Sequence, residues 1–112
     1  MSHKDLKATF ARRLRQAREA VGVSQVELGR QAGLEPSVAS PRINQYESGK
    51  HLPQATTLVR LAEALGVPVT FLVSEDDSLA ELVLKWQAMT AEQRECLLSA
   101  ADEALTRSPA RR

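Results

Sequence analysis

Short apolar repeats, each closed by a glycine, constrain this chain more than any other feature. Leu6, Phe10, Leu14, Ala17 and Val21 recur at three- and four-residue steps and stop at Gly22. That spacing is one buried helical face, and a glycine ends such a helix by accepting a left-handed C′ position. Ser24 with Glu27 three residues later reads as a capping box that opens a short second helix, "SQVELGRQA", ending at Gly33. After "LEPSVAS", a third helix is expected with Ser40 as N-cap and Pro41 at N1, where a missing N–H costs nothing and φ is already helical. It runs to Glu47 and stops at Gly49. Leu58, Leu61, Ala62 and Leu65 mark a fourth helix ending at Gly66, and "PVTFL" reads as one further turn.

"VSEDDS" (Val73–Ser78) is polar, acidic and without periodicity, which makes it the expected boundary between residues 1–73 and 74–112. Beyond it Leu79, Leu82, Val83 and Trp86 form one stripe. Thr90 with Gln93 makes a second capping box, opening a helix with Leu97, Ala101 and Leu105 on one side. The connection around Met89 is short, so these two helices are expected to pack antiparallel as a hairpin. The closing "RSPARR" is expected to fray.

Composition narrows the function. The 112 residues are 43% apolar and 26% charged, ordinary for a globular chain of one domain plus an appendage. No apolar run is long enough to span a membrane, and the amino terminus lacks the apolar middle of a secretory signal, so a cytoplasmic location is expected. The single Cys96 cannot form an internal disulfide, which fits a reducing compartment. Net charge is +1, but residues 1–60 carry ten Lys/Arg against five acids (+5), and residues 61–112 carry five against nine (−4). A basic half joined to an acidic half directs any polyanion to the first half.

Set side by side, the second and third helices have the mechanics of a helix-turn-helix. Gly29 supplies a residue without bulk where two helices cross closely, and Gly33 supplies a bend with positive φ. Leu28 fills the inner face of one helix, and Ile43 and Tyr46 that of the next. The stretches "FARRLRQAREAVGVSQVELGRQAG", "INQYESGKHLP" and "TLVRLAEALGVPVTFL" resemble the phage-repressor-like (XRE) helix-turn-helix family over residues 6–73. The resemblance implies an all-α, five-helix repressor-like DNA-binding domain, here followed by a C-terminal helical hairpin. It also implies a homodimer and a transcriptional regulator. One departure stands out: Gly33 to Ile43 is longer than the family spacing by about four residues, roughly one helical turn. "EPSVAS" is therefore an enlarged turn, or an added helical turn, before the recognition helix.

Within this frame, Ser40, Arg42, Asn44 and Gln45 are the exposed positions of the third helix and the candidate base contacts. Arginine can grip guanine O6/N7, and asparagine or glutamine adenine N6/N7, with paired hydrogen bonds. On an isolated helix the same residues would be mere soluble surface. Gln25 resembles the family residue that hydrogen-bonds a phosphate at a helix N-terminus. Ser48, Lys50 and His51 follow as candidate phosphate contacts, which set register without reading sequence; His51 reads equally well as a plain loop residue. The resemblance pairs Arg18 with Glu47 as a structural ion pair, where a lone arginine would be taken as a phosphate contact. Trp86 and its stripe read as core before any ligand box, and Cys96 as an inert helix residue before a redox sensor.

An enzyme is not expected: His3, His51 and Cys96 lack metal-ligand spacing, no Gly-rich phosphate loop appears, and no nucleophile has a base nearby in sequence. No metal, cofactor or membrane partner is expected either. The expectation is a DNA-binding regulator, a homodimer on double-stranded DNA that represses by promoter occlusion. The rival is a protein-interaction module, antitoxin-like, that seizes a protein partner through the C-terminal hairpin.

Overall fold

The computed structural model describes the backbone of residues 3–107 and the side chains of residues 6–107. Residues 108–112, most of the tail expected to fray, lie outside the described residues. Seven helices follow in order: α1 (His3–Val21), α2 (Gln25–Gln31), α3 (Pro36–Glu47), α4 (Ala55–Leu65), α5 (Val69–Leu72), α6 (Asp77–Ala88) and α7 (Ala91–Arg107). The described chain is all-helical, the expected five-helix domain with two helices appended. None of the described helices is long and apolar enough to cross a membrane.

One core joins α1 to α6. Phe10, Leu14, Leu28, Ile43, Leu61 and Leu72 are fully buried, and Tyr46 meets Phe10 edge-on with ring centroids 6.0 Å apart. Val21 ends α1 half in solvent, where the periodicity had placed it inside. Ser24 caps α2 by accepting the Glu27 N–H at 3.0 Å, but Glu27 does not return the bond. Its carboxylate takes Arg30 and Gln31 instead, and those hydrogen bonds hold its pKa down to about 2. The capping box at Thr90 and Gln93 is complete in both directions.

The bend after α2 is a Schellman turn. Leu34 N–H reaches Gly29 O at 2.9 Å and Gly33 N–H reaches Arg30 O at 3.0 Å, with Gly33 at φ +86°. Gly29 sits against Ala39 so closely that a Cβ added there would lie 2.6 Å from the Ala39 Cβ. This is the close crossing expected at that glycine.

The third helix starts earlier than Ser40 and Pro41 suggested. Its N1 residue is Pro36, behind Glu35, so Ser40 is not the cap and Pro41 lies inside the helix. A proline there removes one i→i−4 bond, to the Ser37 carbonyl, yet the helix continues because Ala39, Ile43 and Tyr46 anchor it on both sides of that step. The extra residues thus lengthen the helix by a turn and leave the connecting loop short.

The acidic stretch after α5 is docked, not loose. Buried Arg13 donates from Nε to Ser74 O at 2.9 Å and from Nη2 to Asp77 at 2.8 Å, and its guanidinium lies 5.5 Å from the Phe71 ring centre. Asp76 caps α6 through the Leu79 N–H, and Gln87 fixes its far end to Gly66 O. Ala80, Val83 and Leu84 face the core, which leaves Leu79 and Leu82 of the expected stripe exposed. α7 has no buried residue. It is tied to α6 at the joint, where Arg94 Nε donates to Trp86 O at 3.0 Å and the guanidinium covers the Trp86 ring, but it does not lie back along α6, so the antiparallel packing expected from the short connection is not formed. The radius of gyration, 16.6 Å, exceeds the ~13 Å of a compact chain this long, as an outlying helix requires.

Candidate nucleic-acid interface

α3 divides cleanly into an anchored side and an open side. Ala39, Ile43, Tyr46 and Glu47 are buried. At 100° per residue the line opposite them runs through Ser37, Pro41 and Ser48, with Asn44 and Gln45 on either hand. Ser37, Val38, Pro41, Arg42, Asn44 and Ser48 are exposed, while Ser40 and Gln45 are half-buried. Arg42 has no ion pair among the described residues, and it borders a recess of about 450 Å³ with Gln45, His51 and Thr57. Neither α6 nor α7 covers this side.

Gln25 opens α2 and braces the flank of α3. Its side-chain N–H group donates to Glu47 Oε1 at 3.1 Å and to Asn44 Oδ1 at 3.4 Å, and its carbonyl accepts from Ser40 Oγ at 3.3 Å. Both amide hydrogens are engaged, so a phosphate would have to displace the longer bond to Asn44. Ser40 and Asn44 are held in place by this bracket. Ser48 Oγ donates to Gln45 O at 3.1 Å, and Lys50 and His51 stand exposed just past Gly49.

Behind the open side lies the ion pair. Arg18 Nε reaches Glu47 Oε2 at 2.5 Å and Nη2 reaches Oε1 at 3.1 Å, a fork-on-fork geometry, while Nη1 donates to Val23 O at 3.0 Å. The Glu47 side chain is 1% exposed. A carboxylate at a helix C-terminus opposes the helix dipole, so its burial depends on these cations. The Glu47 hydrogen bond raises the Arg18 pKa above its usual value against the opposing effect of burial.

Several cations of the basic half turn out to be committed internally. Arg18 is matched by Glu47, Arg30 by Glu27, and Arg12 and Arg13 by Asp77 from the acidic half. Arg15 Nε adds a second, longer contact to Glu47 at 3.9 Å, so among the described residues near the open side of α3 Arg42 and Lys50 are the cations without an internal ion pair. Among the described residues no cluster of His, Cys, Asp and Glu could hold a metal ion.

The sequence reading passed over three outward residues of α3: Ser37, Val38 and Pro41. The signal that could have found them is the "EP" pair at Glu35–Pro36, which places a proline at N1 five residues before Pro41.

Comparison with known proteins agrees with this geometry. A family model described as a helix-turn-helix domain matches residues 9–71, more than half the chain. No curated protein matches. Among solved structures, the crystal structure of transcriptional regulator BswR is similar at 38% identity and a TM-score of 0.78, covering 86% of this chain and 95% of that one. On its buried anchors, its glycine-hinged crossing and these matches, the chain belongs to the helix-turn-helix family, in the repressor-like form that its sequence resembles.

Proposed function

We propose that this protein is a sequence-specific DNA-binding transcriptional regulator, acting in the cytoplasm as a two-fold dimer on an inverted repeat and repressing by covering a promoter. The observation that carries the reading is the row of Arg42, Asn44 and Gln45 on the uncovered side of a helix whose other side is locked by Ile43, Tyr46 and Glu47. Donor and acceptor groups held outward on a fixed helix suit the edges of base pairs in a major groove. The similarity to a transcriptional regulator supports the same reading. It assigns no catalytic step. Selection of bound duplexes from a random pool tests it. An enriched inverted repeat, with half-sites about one DNA turn apart, is expected; no enrichment even at low salt would overturn it.

A second reading has its own observation. α7 carries no buried residue, and Leu98 and Leu105 are 55% and 76% exposed. Most of a helix's stability in a protein comes from packing its apolar face, and α7 buries none within the chain. The same surface suits a protein partner, as in an antitoxin-like module that also regulates its own promoter. Co-purification of a stoichiometric partner with the full chain, lost on deleting α7, would favour that reading.

A further inference from the structure

The added first turn of α3 puts two apolar side chains where a groove-reading helix has its leading edge. Val38 and Pro41 are one turn apart, both exposed, with Val38 at 38%. Arg42 lies one turn beyond Val38, and Gln45 one turn beyond Pro41, so the apolar pair is continuous with the polar row. Neither residue helps the helix that bears it. Valine is a poorer helix former than alanine, and an interior proline removes a hydrogen bond and crowds the preceding turn. Neither fills the core. Residues that oppose local structure and stand outside the buried core are expected at functional surfaces.

We infer that Val38 and Pro41 form an apolar reading patch that takes the C5-methyl group of thymine in the major groove. The inference rests on the DNA-reading role proposed above for α3. Neither side chain has a donor or acceptor, and Pro41 lacks even a backbone N–H. They can therefore discriminate only by apolar contact and shape. Of the groups that base pairs present in the major groove, the thymine methyl is the apolar one. Covering it also removes Val38 and Pro41 from water, which contributes affinity at thymine and nothing at a base lacking the methyl.

The experiment uses the full chain and the duplex enriched from a random pool. Each thymine of that duplex is replaced in turn by uracil, which deletes one methyl and leaves every hydrogen-bonding group in place. Affinity is expected to fall roughly fourfold at one or two positions per half-site, the effect of one buried methyl. Val38→Ala and Pro41→Ala are expected to bring the thymine-to-uracil ratio at those positions close to one. Both replacements favour helix, so folding is preserved, and circular dichroism checks it. An enriched duplex that binds equally well with uracil at every position overturns the inference and leaves DNA reading intact. So does an unchanged ratio in both variants. Failure of any duplex to enrich removes the DNA-reading role itself.

Discussion

At the scale of single residues, the open side of α3 separates groups that can read bases from groups that can only hold a backbone. Replacing Arg42 or Asn44 with alanine is expected to cost ~1–3 kcal/mol on the selected site and to relax preference at one base pair. Replacing Lys50 is expected to weaken all sequences alike and to lower the salt slope by about one unit. Binding isotherms on cognate and scrambled duplexes over a salt series distinguish the two. If Lys50→Ala altered base preference while Arg42→Ala did not, the sorting would be wrong. Glu47 belongs to a different class. Its carboxylate is buried and answers Arg18 and Gln25 together, so Glu47→Ala leaves a guanidinium without its partner and should destabilise the fold by ~3 kcal/mol. Urea denaturation gives the number.

At the scale of elements, the α2–α3 crossing tolerates no added atom. Gly29→Ala places a Cβ against Ala39 backbone and side chain, and should cost ~2 kcal/mol while displacing α3 from its bed; thermal unfolding and the loss of DNA affinity should move together. The attachment of α6 is electrostatic at its start. Arg13, and then Arg12, hold the Asp77 carboxyl below its usual 3.8. A depressed carboxyl contributes stability that is complete above its unfolded value and lost as pH falls through its folded one. Docking of the α6 amino end should therefore loosen as pH drops below 3.8, and Asp77→Asn should abolish that pH dependence. Hydrogen exchange of the α6 amides reports both. These elements also mark what was legible beforehand. Periodicity and glycine stops placed α1, α2 and α4, and the short "PVTFL" segment placed α5, because each such signal is local. The start of α3 was not legible from Ser40–Pro41, because a proline marks an N1 position only where no turn precedes it, and packing around Ala39 is what extends the helix back to Pro36. The Arg13–Asp77 bond spans 64 residues, and no local pattern announces it.

At the scale of the molecule, the described chain is a packed body of six helices and an outlying seventh. The apolar stripe of α7 was readable from Leu97, Ala101 and Leu105, but its destination was not, since a stripe records that a face seeks cover and not which surface supplies it. Leu98→Ser with Leu105→Ser removes apolar groups that touch little within one chain. Unfolding of the helix-turn-helix body should shift by less than ~0.5 kcal/mol, whereas self-association of the proposed dimer, followed by sedimentation, should weaken if α7 supplies its interface in place of a different protein partner. A dimer undisturbed by the double replacement would have to use another surface.

The joint at Met89 and Thr90 has a mechanical consequence. α6 is clamped at one end by Arg13 and at the other by Gly66, while among the described residues α7 is held by side-chain contacts only beside Trp86. A small pivot there sweeps Arg107 through a long arc, like a boom on a fixed mast. In the dimer proposed above, two such booms joined at their tips would let the two helix-turn-helix bodies settle onto half-sites whose separation varies, with no adjustment inside either body.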